Sequence, residues 1–222
     1  MIKNQKEVKG VSVIAYAHSP SSLYNILDNY LWQNYPKTEL ILIVNNKISD
    51  LKNWDNRLKQ YNHINAVKNS EDFPIGKCFN SVIKKSKYDY ISIFDANSYY
   101  APNYLTDILN TFKYTDAHIA GKQTIFSYVK YEKRLFLVNP NYEYRFTNSI
   151  ADSTLTFRKD IFPRIKFEDN NQYYIDSFLK SSIKEGFKIY SSDRFNHIKI
   201  KDLGSEKLPR KAIEEEFSSV IV

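Results

Sequence analysis

The sequence predicts an α/β domain built on a mostly parallel, Rossmann-like sheet, with shorter strands in its second half. Two observations carry this. The runs Val11-Ser12-Val13-Ile14-Ala15-Tyr16, Leu40-Ile41-Leu42-Ile43-Val44 and Tyr90-Ile91-Ser92-Ile93-Phe94 are near-continuously apolar, as strands covered on both faces are. Helical stretches fall between them, which is the alternation of a doubly wound sheet.

The elements follow in order. Ser19-Pro20-Ser21-Ser22 supplies a turn and an N-cap, and Leu23, Ile26, Leu27, Tyr30 and Leu31 make one apolar stripe behind it. Pro36 stops that helix, and Asn45-Asn46 closes the strand that follows. A polar helix is expected from about Asp50 to Tyr61, then a short strand from Ile64 to Val67. Gly76 precedes a helix carrying Phe79, Val82 and Ile83, and Pro102 opens another that runs to about Phe112. In the second half the strands are shorter: Ala117–Ala120, Thr124–Tyr131, Arg134–Val138 and Ser153–Phe157. A helix from Tyr174 to Glu185 ends at Gly186, and strands at Lys188–Ser191 and Phe195–Lys201 complete the domain. The stretch from Ser205 to Phe217 reads as a charged helix. No repeat or linker-like stretch divides the chain, so residues 1–204 are expected to form one domain and 205–222 a charged terminal helix.

Composition narrows the function. With 42% hydrophobic residues a core can form, and no apolar run approaches the roughly 20 residues of a spanning helix. Met1–Glu7 is charged with no apolar stretch behind it, so no export signal is expected. The single cysteine, Cys78, excludes a disulfide framework, fits a reducing cytoplasm, and reads as a packed thiol on a helix. The net charge of +7 is spread along the chain without a zinc spacing or a long basic run, so nucleic acid is not expected as partner. A diffuse basic excess fits handling of nucleotide diphosphates or a peripheral position near an anionic membrane or spore surface.

Ligands of open α/β sheets bind at the carboxyl ends of the strands. Here those ends carry Tyr16-Ala17-His18, Asn45-Asn46 and Asp95-Ala96-Asn97. Asp95 has two readings, as cap of the turn that follows or as holder of a metal or ligand hydroxyl.

At this point the sequence resembles a known family. The opening strands with Asn45-Asn46, the Gly76-x-x-x-Asn80 helix, and the stretch Tyr88 to Leu105 around Asp95-Ala96-Asn97 are similar, in order and spacing, to family 2 glycosyltransferases of the GT-A fold. Thr154–Phe162 and Gly186–Tyr190 resemble the acceptor-side half of that family, and the likeness covers roughly residues 10–201. It is nearest to the short, Tyr- and Lys-rich members of spore-forming Gram-positive bacteria. The resemblance implies a nucleotide-binding half over about 10–115 and an acceptor-side half, with a smaller mixed sheet, over about 116–204.

It also implies an inverting transfer of a sugar from a nucleotide diphosphate donor, a UDP-sugar first, to a hydroxyl of a cell-envelope, spore or other glycan acceptor. An Asp-x-Asp pair in that family holds Mn²⁺ or Mg²⁺ against the diphosphate, and a separate carboxylate is the base. Carried over by position, Tyr16, Asn45, Asn46, Gly76, Asn80 and Asp95 would contact the donor, and Asp95, Asn97 and His197 the metal. The sequence departs from the pattern on these positions: Asn97 stands where the second carboxylate is expected, and Ser98 follows it. The acidic pair of the base falls at Tyr174-Ile175, so Asp176 is the candidate base, with an exposed helix residue as the other reading. Glu168-Asp169 is a further candidate that reads first as loop.

His197 is a metal ligand or an ordinary strand histidine, and His18 meets a diphosphate or caps the helix at Ser19. Arg158 and Lys159 touch an acceptor-side phosphate or belong to a turn. The alternative function is a catalytically inactive module of the same fold that acts as a binding or partner subunit, with the C-terminal tail as the contact to a protein partner.

Overall fold

The computed structural model describes residues 8–48, 54, 58–70, 73–169 and 173–201. The charged helix expected beyond Ser205 lies outside these residues, as does most of the polar helix expected from Asp50. Strands β1 (Val11–Ala17), β2 (Thr38–Asn45), β3 (Ile64–Asn69) and β4 (Tyr90–Phe94) alternate with helices α1 (Pro20–Leu31) and α2 (Ile75–Lys85). Then come β5 (Ser98–Tyr100), α3 (Tyr104–Tyr114), β6 (Ile119–Gly121), β7 (Ile125–Val129), β8 (Arg134–Val138) and β9 (Arg145–Thr147). A short 3-10 turn (Asp152–Thr154), β10 (Thr156–Arg158), α4 (Tyr174–Lys184), β11 (Ile189–Ser191) and β12 (His197–Lys201) complete the described chain.

Among the described residues the large sheet runs β3-β2-β1-β4-β10-β6-β11-β9 and a second sheet β5-β12-β7-β8. The first four strands are parallel, and β10 is antiparallel to both β4 and β6. Alternate side chains of β1 and β2 point to opposite faces and both faces are covered, which explains their near-continuous apolar runs. Val11, Val13, Ala15, Leu40 and Leu42 face one layer, with Leu23 and Ile26 of α1 and Leu105 and Ile108 of α3. Ile14, Ile41 and Ile43 face the other, with Phe79 and Val82 of α2 and Phe178 and Leu179 of α4. Each such side chain, fully buried, contributes about 1.5–3 kcal/mol. The second sheet has its own small core of Tyr99, Phe126, Tyr128, Ile198 and Ile200.

Local chemistry sets the boundaries that matter for the site. Ser19 and Ser22 form a reciprocal capping box with Pro20 in the first turn, so only His18 and Ser19 separate β1 from α1. Gly186, at φ +81°, follows the end of α4 in the left-handed conformation that glycine adopts at no steric cost. Two short strands differ from the sequence expectation. Ser98–Tyr100 reads as part of a turn but pairs with β12, and Arg145–Thr147, where no strand is expected, pairs with β11. The expected strand at Ser153–Phe157 is split into a 3-10 turn and the short β10.

Candidate functional site

The strand order reverses direction between β1 and β4, with β2 and β3 on one side, which opens a crevice at the carboxyl ends of β1 and β4. A cleft of about 160 Å³ lies there. That is below the usual 300–1,000 Å³ of an organic-ligand pocket, so a ligand of that size would extend across its mouth. The parallel half lines it with Tyr16, His18, Phe79 and the run Ile93 to Asn97, and the second half with Asp152, Ser153, Tyr174 and Ile175.

Asp95 is positioned by a chain of contacts that begins in the core. Tyr100 stacks on Phe94 with ring centroids 3.9 Å apart, and its hydroxyl accepts from the Asp95 backbone N–H at 2.8 Å. The same hydroxyl donates to the Ser153 carbonyl at 2.6 Å, tying the loop after β4 to the 3-10 turn of the second half. Asn29 of α1 fixes β5 from behind, donating to the Ser98 carbonyl at 2.8 Å and accepting from the Tyr100 N–H at 3.1 Å. Ser98 Oγ then donates to Asp95 Oδ2 at 2.9 Å.

The same carboxylate oxygen accepts from Lys199 Nζ at 2.6 Å. The pairing of β5 with β12 causes this, because it sets Lys199 opposite Ser98. Lys199 Nζ is also 3.6 Å from Asp152 Oδ1, so the ammonium sits between two carboxylates of the cleft. Burial disfavours its charge, but Asp95 and Asp152 outweigh burial and hold its pKa above the ordinary lysine value. Tyr174, across the cleft, has its hydroxyl pushed well up, first by burial and then by the negative charges of Asp95 and Asp152. Tyr16 accepts from Asn45 Nδ2 at 2.9 Å, while Asn45 Oδ1 accepts from the Lys47 N–H at 2.9 Å.

The structure thus brings together Tyr16, His18, Asp95 and Asn97 of the residues singled out in the sequence, with Asn45 one contact away. Asn46 is exposed at the end of β2 and Gly76 is buried in the first turn of α2; neither lines the cleft. Asn80 is a structural clamp: its amide donates to the Phe167 carbonyl at 2.7 Å and accepts from the Phe167 N–H at 3.0 Å. Both ends of the side chain are committed to the backbone, which explains an asparagine there without a ligand. Asp176 is exposed on α4 and does not line the cleft, because the helix turns it about 100° from Ile175, which does. Asp169 pairs with Lys77 on the surface at 3.3 Å.

Arg158 and Lys159 lie at the opposite end of the sheet. Since β10 runs antiparallel to β4, Arg158 pairs with Tyr90, where β4 begins, and its guanidinium binds Asp160. Cys78 is buried and its thiol is pushed up to about 11 by burial, the state of a packed thiol.

His197 is fully buried against the rings of Tyr100 and Tyr104, and neither ring nitrogen has a hydrogen-bond partner. Burial first, then the charges of Lys122 and Lys199, hold its pKa far below the ordinary value. It is a neutral core residue, and the residue two further along the same face of β12, Lys199, is the one that reaches the cleft. Among the described residues no three His, Cys, Asp or Glu side chains converge as a metal site. Asp95 Oδ2 is held by Lys199 and Ser98, and the second motif position is the neutral Asn97, so the residues present do not fit a divalent cation.

Residues 11–173 match the sequence family described as Glycosyl transferase family 2. The chain belongs to glycosyl transferase family 2. A solved structure similar to this family 2 chain is S. aureus TarS 1-349, with a TM-score of 0.64 at 12% identity, covering 86% of this chain and 60% of that one. At this identity the likeness speaks to the fold, which is GT-A. The chain spans about 60% of the length of that structure. A search of curated proteins finds no match. No helix among the described residues of this family 2 chain is long and apolar enough to cross a membrane.

One residue that lines the cleft and one bonded to its Asp95 escaped sequence reasoning. Asp152 carries no motif, and only the fold of the second half brings it to Asp95. Lys199 had one available signal, its place two residues after His197 on a strand face already under suspicion.

Proposed function

We propose that this domain binds a nucleotide diphosphate sugar, a UDP-sugar first, and transfers the sugar with inversion to a hydroxyl of a glycan acceptor. The observation that carries the proposal is the placing of Asp95 and Asp152, one from each half, on a cleft at the strand switch point. The end of β2, with Asn45 and Asn46, is where the nucleotide base would lie, and Tyr16 is oriented towards it by Asn45. The starts of α1 and α4 both adjoin the cleft through His18 and Tyr174, and their dipoles favour the negative diphosphate. In the transfer step the acceptor oxygen forms a bond to the anomeric carbon while the bond from that carbon to the diphosphate breaks. The acceptor proton passes to a carboxylate, and the diphosphate leaves with the electron pair.

Asp152 is the carboxylate placed for that proton, rather than Asp176. It lines the cleft from the acceptor-side half and is exposed, while the Ser153 N–H at 2.7 Å fixes its Oδ1. Asp152→Asn should lower sugar transfer, or nucleotide release from the donor, by about 10²–10⁴-fold while nucleotide binding persists. The second reading is a binding module without turnover. It is favoured by the apolar and aromatic pair Ile175 and Tyr174 at the place where the family carries its acidic pair. Calorimetric binding of UDP and GDP sugars, with turnover measured on the same samples, separates the two. Binding without release of nucleotide in the presence of candidate acceptors would leave the module; absence of binding to every nucleotide would remove the transferase reading and leave only a partner subunit.

A further inference from the structure

Resting on that donor-binding reading, we infer that the Lys199 ammonium takes the place of a divalent cation at Asp95, so that the donor diphosphate is met by the chain's own positive charge and binds without added metal. The placement is built in by several elements. Asn29 and Tyr100 fix β5, β5 pairs with β12, and this pairing sets Lys199 opposite Ser98 and its Nζ on Asp95 Oδ2. Ser98 is itself fully buried and binds the same oxygen, so the carboxylate is oriented from two directions.

Electrostatics then separates the two kinds of cation. A divalent ion bound to Asp95 would lie about 2.0–2.6 Å from the carboxylate. The ammonium is already 2.6 Å from Oδ2, which puts the two positive charges within about 5–7 Å of each other, whichever carboxylate oxygen the ion takes. Asn97 supplies no charge to offset that repulsion. Lys199, by contrast, remains compatible with a phosphate ligand. An ammonium has three N–H donors. Asp95 takes one, and Asp152 stands at 3.6 Å, outside direct hydrogen-bonding distance, so donor capacity is left for a phosphate oxygen. The side chain is a quarter exposed, which keeps it within reach of a ligand. Only one positive charge is supplied where the metal would bring two, so the affinity for a diphosphate is set by Lys199 together with the helix starts at the cleft.

The test is calorimetric titration of the whole chain with UDP and with UDP-glucose, in EDTA and in excess Mn²⁺, for the wild type, Lys199→Ala and Lys199→Arg. The expected result is wild-type binding that differs by less than about twofold between EDTA and Mn²⁺. Lys199→Ala should bind at least about tenfold more weakly in EDTA, and Lys199→Arg should stay within about threefold of wild type. Wild-type binding that appears only with Mn²⁺ overturns the inference and leaves the proposed function standing. Equal affinity of wild type and Lys199→Ala also overturns it. Should Lys199→Ala fail to fold, the EDTA and Mn²⁺ comparison on the wild type decides alone. Absence of binding to either nucleotide under both conditions overturns the donor-binding reading itself.

Discussion

Lys122, behind the cleft, and Lys199, at its edge, each hold an aspartate, Asp193 at 3.0 Å and Asp95 at 2.6 Å. The surroundings differ. The Lys122 side chain is fully buried, and its ammonium also donates to the Asp193 carbonyl at 2.9 Å and to Ser192 Oγ at 3.4 Å. Its backbone joins the same knot, with its N–H on Thr154 Oγ1 and its carbonyl accepting from Ala151. Lys122 therefore fastens the end of β6 to the end of β11 and to the turn that carries Asp152, with every ammonium donor engaged. Burial is the largest influence on it and lowers its pKa despite Asp193. Lys199 has one firm partner, partial exposure and a raised pKa. The first pair is saturated and belongs to the framework. The second keeps capacity for a ligand, which is what a binding residue requires.

Removing each lysine should separate these roles. Lys122→Ala leaves the Asp193 carboxylate without its buried partner and should cost about 3–5 kcal/mol. Lys199→Ala breaks a partly exposed pair and should cost no more than about 1 kcal/mol, although it weakens nucleotide binding. Denaturant unfolding of the two variants checks the contrast, and a larger loss at Lys199 would reverse the assignment. An effect between these two is expected at Asn80, which the family pattern connects with the donor and the structure with Phe167. Asn80→Ala should lose about 1–3 kcal/mol, from the two backbone groups left without partners, with unchanged nucleotide affinity. A weaker affinity in a variant of normal fold would return Asn80 to the binding site.

The last test sharpens the comparison through His197, which lies between the two lysines. Its pKa is lower in the folded protein than the ordinary 6.5, so the unfolded chain binds the extra proton as the pH falls. Stability should therefore be insensitive to this residue above about pH 6.5 and decline as the pH drops below it towards the folded value. His197→Phe removes the titration and should flatten the decline between about pH 7 and 5, read from melting temperatures against pH. Equal slopes in the two proteins would show that His197 takes up its proton equally in the folded and the unfolded chain, against a lowered pKa in the fold.

Much of the parallel half was legible in the sequence. The apolar runs of β1, β2 and β4 and the cap at Ser19 are local signals, and each lies where its periodicity or backbone preference puts it. The carboxyl ends of these strands located Tyr16, His18 and Asp95 for the same reason. The second half was legible only in part, because three-residue strands such as β5 and β9 are too short to show a period and exist through their partners.

The sequence by itself determined the fold class, the family and the loop that carries Asp95, since these rest on hydrophobic patterns and motif order along the chain. Only the tertiary structure decided what faces Asp95. Lys199 is 104 residues away in sequence and meets it through the pairing of β5 with β12, while His197, on the same strand, is enclosed by Tyr100 and Tyr104. The physical reason is that a strand's period fixes which residues share a face, but the partner strand fixes which of them reaches the cleft.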